Sequence, residues 1–378
     1  DATAIAPLSF KVSATNNRLV QTLATGDALT IAANKSSQQS SVAVSIGVAS
    51  ATSRIAGDTL ALVDLDELHL SSSGQIEVEA SNTSAVESFA LAVAVSIGVG
   101  DGSITVAGGG AGARNTVTGA VRGSLQAGEI SSTLADRDNA IEVTATTQRT
   151  ALAEVGSAAL ALSIGLGRGT NVGVALGISA ASNSIDADAG DDSPALPSLD
   201  SDSLESFLDG NSSVGLAGTA PQSTAGTRAE VRATRISAIG GLLIEAANSS
   251  TITARIVSVA AAISSGQGTN VGVSLTGAGV GNRIGTSVSA TLLGVGDSSL
   301  RAALLKVSAS DASTITATAV GASVSAALGF GNGAAAGVSI GISAAVNSIR
   351  RDVLAAVSDV DDLAAVSYTH LRAHETVL

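Results

Sequence analysis

Histidine and acidic side chains are the residues of this sequence that could do chemistry, and few of them are placed to do it. His69 is one of three histidines, and Asp64 and Asp66 precede it closely enough to complete a metal site. His69 alternates with a leucine on each side, a period of two that places it on the outer surface of a strand. A Ser-His-Asp triad would have to use this same histidine, which has no nucleophile-elbow sequence around it. We therefore predict no catalytic residue and no metal ligand.

Glycine-rich and acidic stretches suggest two further kinds of site. Residues 165–169 and 329–333 have the glycine spacing of a phosphate-binding loop, but a β-patterned segment follows each of them where a nucleotide site needs a helix. They are interpreted as turns. The stretch 186–209 contains eight acidic residues and no basic one, enough for weak Ca²⁺ association, but it lacks EF-hand spacing. A solvated acidic loop is the favoured interpretation, so no cofactor is predicted.

Composition excludes several classes of function. The chain of 378 residues has no cysteine, so disulfides, thiolate catalysis and Cys-based zinc sites are excluded. Its 19 basic and 32 acidic residues give a net charge of −13, which disfavours a nucleic-acid partner. The longest apolar run, Phe89–Val95, is too short to span a bilayer, so no membrane insertion is expected. The lack of cysteine favours an exported protein, and the lack of methionine favours a fragment whose signal peptide lies elsewhere.

Two sequence markers recur in the same order along the chain. The first, Ile/Leu-x-Val/Ile-x-Ala, has copies that start 47, 65, 101 and 63 residues apart, at Leu29, Ile76, Ile141, Leu242 and Leu305. The second, Asn-x-Ile/Val, is predicted to form a turn or cap held by its side-chain amide, at Asn115, Asn183, Asn282 and Asn347. The markers predict repeats of 63–65 residues with a truncated first copy. The repeats occupy 1–187 and 229–366, on either side of an acidic, proline-containing loop insertion at 188–228.

The repeats have the periodicity of β-strands. Val42–Val48 and Leu91–Val99 alternate a branched aliphatic residue with alanine, serine or glycine. Short segments punctuated by glycine and asparagine predict an all-β fold, a parallel β-solenoid with coils of about 20–25 residues and about three coils per repeat. About 15 such coils would extend over about 70 Å. The alternative is a stack of long antiparallel hairpins, with Gly165–Asn171 as one hairpin turn.

The last residues, 367–378, differ from the rest of the chain. They contain the only tyrosine, Tyr368, and two of the three histidines, His370 and His374, and they contain neither repeat marker. This tail resembles translated sequencing-adapter read-through. It is therefore expected to be non-native and to contribute to no site.

The order of the two markers around an Ala/Gly/Val-rich stretch resembles the repeat region of giant bacterial filamentous adhesins, the haemagglutinin-like and leukotoxin-type β-strand-repeat proteins. The resemblance covers residues 29–355, apart from the insertion. It implies a non-catalytic stalk at the bacterial outer surface or in the extracellular medium, with a role in adhesion or biofilm. The implied partners are neighbouring repeats of the same longer chain, and host or cell-surface receptors bound through regions outside this fragment.

Two alternative functions remain open. A carbohydrate-active lyase or hydrolase on a solenoid scaffold needs clustered carboxylates with Arg or Lys, and lysine occurs only as Lys11, Lys35 and Lys306. An ice-binding solenoid needs Thr-x-Thr on every coil. Thr251–Thr253 and Thr314–Thr316 are isolated examples of that motif in the sequence.

Overall fold

The fold is that of an all-β chain whose strands are long and parallel. A computed structural model describes residues 7–34, 39–65, 68–135, 140–186 and 226–365, together with the backbone of a short strand at 372–374. The described residues form strands and no helix, so none of them forms a helix long and apolar enough to cross a membrane. The strands in chain order are β1 (Phe10–Ala33), β2 (Ser40–Ala56), β3 (Thr59–Asp64), β4 (His69–Ser72), β5 (Ile76–Gly100), β6 (Gly102–Thr118), β7 (Val121–Ser132), β8 (Ile141–Gly165), β9 (Asn171–Ile185), β10 (Thr227–Gly266), β11 (Asn270–Asp311), β12 (Thr314–Gly329), β13 (Ala335–Ser358), β14 (Asp362–Ala365) and β15 (Arg372–His374).

Each coil of the solenoid passes through three faces. In the second coil, β5 lies on face 1, β6 on face 2 and β7 on face 3, and β8 then returns to face 1 beside β5. Face 1 has the order β1-β5-β8-β10-β12, and face 2 has the order β2-β6-β9-β11-β13. The long strands β10 and β11 bend around corners and contribute to more than one face. Every strand pairing of the described residues is parallel, which confirms the predicted parallel β-solenoid.

One sequence repeat forms one whole coil. Phe10 pairs with Ile76, Ile76 with Ile141, and Thr251 with Thr314, so successive coils are 66, 65 and 63 residues apart. The prediction of coils of 20–25 residues, three to a repeat, is therefore wrong. Five coils are stacked in the described residues, and at about 4.8 Å per coil they extend over about 24 Å.

The antiparallel alternative is also wrong, because Gly165 and Asn171 bound a corner between two faces. Strands β8 and β9, on either side of that corner, pack face to face and form no ladder with each other. Their hydrogen-bonded neighbours lie in the coils above and below. The glycine-rich turn predicted at 165–169 is thus a turn that joins two sheets, with a different role from that of a hairpin loop.

The first repeat is complete, where the sequence predicted a truncated copy. Leu29, interpreted as its first marker, pairs with Val95 in the middle of β5, whereas Phe10 pairs with Ile76. The true first marker is Phe10-Lys-Val-Ser-Ala14, in which phenylalanine takes the place of isoleucine or leucine. After the insertion, the repeat resumes at Thr227, the first residue of β10. The remainder of the predicted insertion, residues 187–225, lies outside the described residues.

The core changes in composition across the coil. Between face 3 and the beginning of face 1, fully buried Ile, Leu and Val side chains from successive coils pack together, including Ile76, Leu125 and Ile141. Between the end of face 1 and the beginning of face 2, the buried side chains are alanines, including Ala94, Ala107 and Ala159. The cross-section is therefore wide at one end and thin at the other, because the side chains between the sheets set their separation.

Glycines at the thin end mark places where the two sheets touch. A Cβ built on Gly47 would lie 2.6 Å from the carbonyl oxygens of both Gly26 and Val93, and one on Gly177 would lie 2.9 Å from the carbonyl oxygen of Val259. These distances are too short for any side chain, so the sequence needs glycine inside the strands. The same glycines led the sequence interpretation to turns every 10–12 residues, and thus to coils that are too short.

Large aliphatic side chains lie on the outside of the thin end. On face 2, the outward residues of β2 include Val42, Val44 and Ile46, which are 60, 50 and 62 % exposed. Their partners Val172 and Val174, in the middle of the stack, are only half-exposed because coils cover them on both sides. Aliphatic ladders therefore run along the outer surface, and the end coils leave them uncovered.

Candidate functional site

The recurrent asparagines form one continuous polar ladder inside the solenoid. The Asn115 Nδ2 donates to Asn183 Oδ1 at 2.8 Å, Asn183 Nδ2 to Asn282 Oδ1 at 2.8 Å, and Asn282 Nδ2 to Asn347 Oδ1 at 2.9 Å. Asn115, Asn183 and Asn282 are at most 3 % exposed. Because each amide donates to the next coil and accepts from the previous one, the ladder satisfies buried polar atoms and fixes the register of coils two to five.

The ladder continues into the first coil through hydroxyl groups. Ser88 Oγ donates to Asn115 Oδ1 at 2.6 Å, and Ser53 Oγ lies 2.8 Å from Ser88 Oγ. Ser53 is in register with Asn115, as the sequence comparison of the repeats indicated. A hydroxyl thus ends the ladder at the first coil, while Asn347 ends it at the last.

The four asparagines do not occupy turns, as was predicted. Asn115, Asn183, Asn282 and Asn347 lie within β6, β9, β11 and β13, with partners directly above and below them in the parallel ladder. Alternation along the strand points them inward, at the same phase as the buried alanines. Their role as polar positions held by the side-chain amide is in the predicted residues, but the bonds run between coils and not within a turn.

A second, shorter ladder lies at the corner between faces 1 and 2. Asn171 Nδ2 donates to Asn270 Oδ1 at 3.1 Å, and Asn270 Nδ2 donates to the carbonyl oxygens of Gly266 and Gly268 at 3.0 and 2.8 Å. Both asparagines are fully buried. They belong to the Gly-Thr-Asn-Val-Gly-Val motif that occurs twice, so the signal for this ladder was present in the sequence although no role was assigned to it.

A buried ion pair between Arg149 and Asp186 was not predicted. Their side chains are 1 and 3 % exposed, and Arg149 also donates to the carbonyl oxygen of Gly119. Burial lowers the pKa of Arg149 to about 10, against which the charge of Asp58 raises it. The pair lies where the chain leaves the coil after Asp186, before it re-enters at Gly226. Alternation places residue 149 inward, but the sequence alone gave no partner for a charge at that position.

A row of charged side chains crosses the outer surface of face 1. Lys11, Glu77 and Glu142 are in register on adjacent strands, and Lys11 Nζ lies 2.7 Å from Glu77 Oε1. Burial and the neighbouring carboxylates of Glu77, Glu79 and Glu245 raise the pKa of Glu142. The row is a surface feature of the strands whose inner sides hold the wide end of the core.

The sequence-predicted chemical candidates are dispersed. His69 begins β4, and its Nδ1 lies 2.9 Å from Glu129 Oε2 on β7 of the next coil, while Asp64 ends β3. Asp66 lies outside the described residues, as do residues 187–209 of the acidic stretch and His370 of the tail. Arg372–His374 pairs through its backbone with Ser308–Ser310. Among the described residues, no three His, Asp or Glu side chains come together as a metal site would require.

The two Thr-x-Thr segments are neighbours, whereas the sequence presented them as isolated. Thr251 pairs with Thr314 and Thr253 with Thr316, on the last two coils of face 1. At the equivalent positions the third coil has Thr150 and Leu152. The hydroxyl array is therefore complete over two of the five coils.

A depression of about 570 Å³ on face 3 is lined by Arg228, Arg351, Asp352 and three hydroxyl side chains, those of Ser287, Ser289 and Thr291. Its lining holds one carboxylate, where hydrolysis of a glycosidic bond employs a pair. The depression can offer hydrogen-bond donors to a ligand, but its mixed charges give no preference for a particular one.

No protein-family model, curated protein or solved structure matches the chain. The functional inference therefore depends on the coil geometry and the internal ladders described above.

Proposed function

We propose that the chain is a non-catalytic structural stalk segment of a bacterial surface or secreted adhesin. The observation that carries the proposal is the register of the stack: five repeats place the same positions directly above one another, one coil to a repeat. In such an architecture the cross-section stays constant and the number of repeats sets the length. That is the property required of a spacer that projects another module away from a surface.

The internal ladders support a mechanical role. The most regular polar side chains, the asparagines of β6, β9, β11 and β13, point inward and bond to one another along the axis. Backbone ladders run in the same direction on all three faces. A force along the axis would act on many parallel hydrogen bonds in each coil at once, so the coil separates as a unit.

The location and partners belong to the same proposal. An exported chain without cysteine has no thiols to oxidise outside the cell, and its acidic net charge suits a solvated surface. Neighbouring repeats of a longer chain are the direct partners, and the receptor-binding module lies outside this fragment. Ice binding is a second candidate function, favoured by the stacked Thr251–Thr253 and Thr314–Thr316, and tested by measuring thermal hysteresis.

Small-angle X-ray scattering of the chain and of its tandem duplication tests the stalk proposal. A rod that grows with its repeats is expected to lengthen by about 24 Å for five further coils, with an unchanged cross-sectional radius. Two independently tumbling bodies, or an increased cross-section, would contradict it. Release of reducing ends from a panel of bacterial and host polysaccharides would favour the lyase or hydrolase instead.

A further inference from the structure

The two ends of the solenoid expose strand edges with little to protect them. Among the described residues, β12 and β13 pair only with the coil below them, and β1 and β2 only with the coil above. β12 and the segment 335–349 of β13 contain no charged residue and no proline, and β2 contains only Arg54. Soluble proteins normally protect long edges with lysine, proline, bulges or a covering element. These edges have the features of a pairing surface.

Side chains at the two ends are exposed where equivalent side chains within the stack are covered. At the last coil Val338 and Ile340 are 50 and 45 % exposed, and at the first coil their equivalents Val44 and Ile46 are exposed to a similar extent. The register relates these positions directly, because Val338 pairs with Val273, Val273 with Val174, and so on down to Val44. One more coil at either end would continue the same aliphatic ladder.

We infer that the last coil of one copy of this chain stacks on the first coil of a second copy, head to tail and in the register of the repeats. On face 2, β13 then pairs in parallel with β2 of the second copy, so that Ile340 lies beside Ile46 and Asn347 beside Ser53. On face 1, β12 pairs with β1, with Val324 beside Leu29. The asparagine ladder passes across the junction, because Asn347 meets the serine that ends the ladder at the first coil.

The second copy is the occupant favoured by the structure because the new interface continues the existing ones. Each internal junction joins two coils by parallel ladders over 24 to 25 residues on face 1 and 15 to 17 on face 2. The proposed junction repeats that arrangement with the same residue types at each position. It does not depend on the proposed stalk function, since the scattering test of a tandem chain can succeed whether or not separate copies associate.

A pair of lysine substitutions on β13 tests the proposal. Ser343 is exposed at the open end and its register is inward, in line with Ala278 and Ala49, so Ser343→Lys leaves the free chain folded but places a charge inside a stacked junction. Ala344→Lys is the matched control, because its register is outward and its side chain stays in solvent in either state. Sedimentation velocity from 1 to 100 µM is expected to give head-to-tail multiples for the parent chain and for Ala344→Lys. A tenfold or greater weakening is expected for Ser343→Lys, with an unchanged circular dichroism spectrum.

Cross-linking tests the register, since the chain has no native cysteine. When Ile46→Cys and Ile340→Cys chains are mixed and oxidised, a disulfide-linked heterodimer is expected. The control pair Val42→Cys with Ile340→Cys, displaced by four residues along the strand, is expected to give at least tenfold less. A parent chain that stays monomeric, equal weakening by both lysines, or a predominance of Ile340→Cys homodimers would each overturn the inference.

Discussion

Replacing Asn183 by alanine removes the central amide of the buried ladder. Two side-chain hydrogen bonds are lost, each 2.8 Å long, one from Asn115 and one to Asn282. At about 1 kcal/mol net per bond they account for about 2 kcal/mol. Asn115 Nδ2 keeps the carbonyl oxygen of Leu152 at 2.7 Å. Among the described residues, however, Asn282 Oδ1 has no other donor and stays buried without a partner, which adds about 1–2 kcal/mol. The expected loss in the free energy of unfolding is therefore about 3–4 kcal/mol.

Urea denaturation followed by far-UV circular dichroism measures this loss, provided that the slope with urea is the same for parent and variant. Asn347→Ala is the matched control, because Asn347 makes one ladder bond at the open end and its side chain is exposed. Its expected cost is below about 1 kcal/mol. Amide exchange checks that unfolding is cooperative across coils, as the comparison of free energies requires. Equal costs for the two variants, or less than about 1 kcal/mol for Asn183→Ala, would refute the ladder as a source of stability.

Three further predictions follow from the core and the surface. Arg149→Met is expected to lower the free energy of unfolding by about 3–5 kcal/mol, because it leaves a buried carboxylate unpaired, whereas Arg255→Met at an exposed pair should change it by less than about 0.5 kcal/mol; urea midpoints compare the two, and similar effects would contradict the buried pair. Gly47→Ala is expected to disrupt the contact between sheets and to lower the melting temperature, whereas Gly279→Ala, with no atom within 4 Å of the new Cβ, should be neutral or stabilising; a tolerated Gly47→Ala would contradict the close approach. Because the pKa of Glu142 is raised, its contribution to stability is present below its unfolded pKa and lost as pH rises through the folded one, so Glu142→Gln should exceed the parent in stability at pH 7, with a difference that shrinks towards pH 4 in urea titrations.

The sequence predicted the fold class and the repeat length well, because both depend on local patterns. Alternation of branched and small residues indicates strands wherever they occur, and Ile76 and Ile141 recur at the spacing at which they pair. The coil length was missed because a glycine such as Gly47 is ambiguous in sequence: it suits a turn, and it equally suits a strand pressed against another sheet.

The candidate site was predicted in its residues but not in its geometry. Asn183 was identified through recurrence, yet recurrence cannot distinguish an amide that bonds within its own turn from one that bonds to the equivalent amide of the next coil. The Arg149–Asp186 pair could not be predicted, since its two residues meet only when β8 and the end of β9 come together across the interior. Phe10 was missed as a marker because the search required an aliphatic residue in that place.

The length of the coil also has a consequence for how the chain reaches this structure. Each ladder between coils joins residues 63 or more positions apart, and closing a loop of that size costs about 4 kcal/mol of chain entropy before any contact compensates for it. The first two coils must therefore form slowly, as is usual for chains whose contacts are distant in sequence. Once they exist, the edge strand offers a template on which the next coil is added without a new nucleus. Refolding is thus expected to show one slow phase whose rate does not change when repeats are added, so that a longer chain waits no longer for its first coils than a short one.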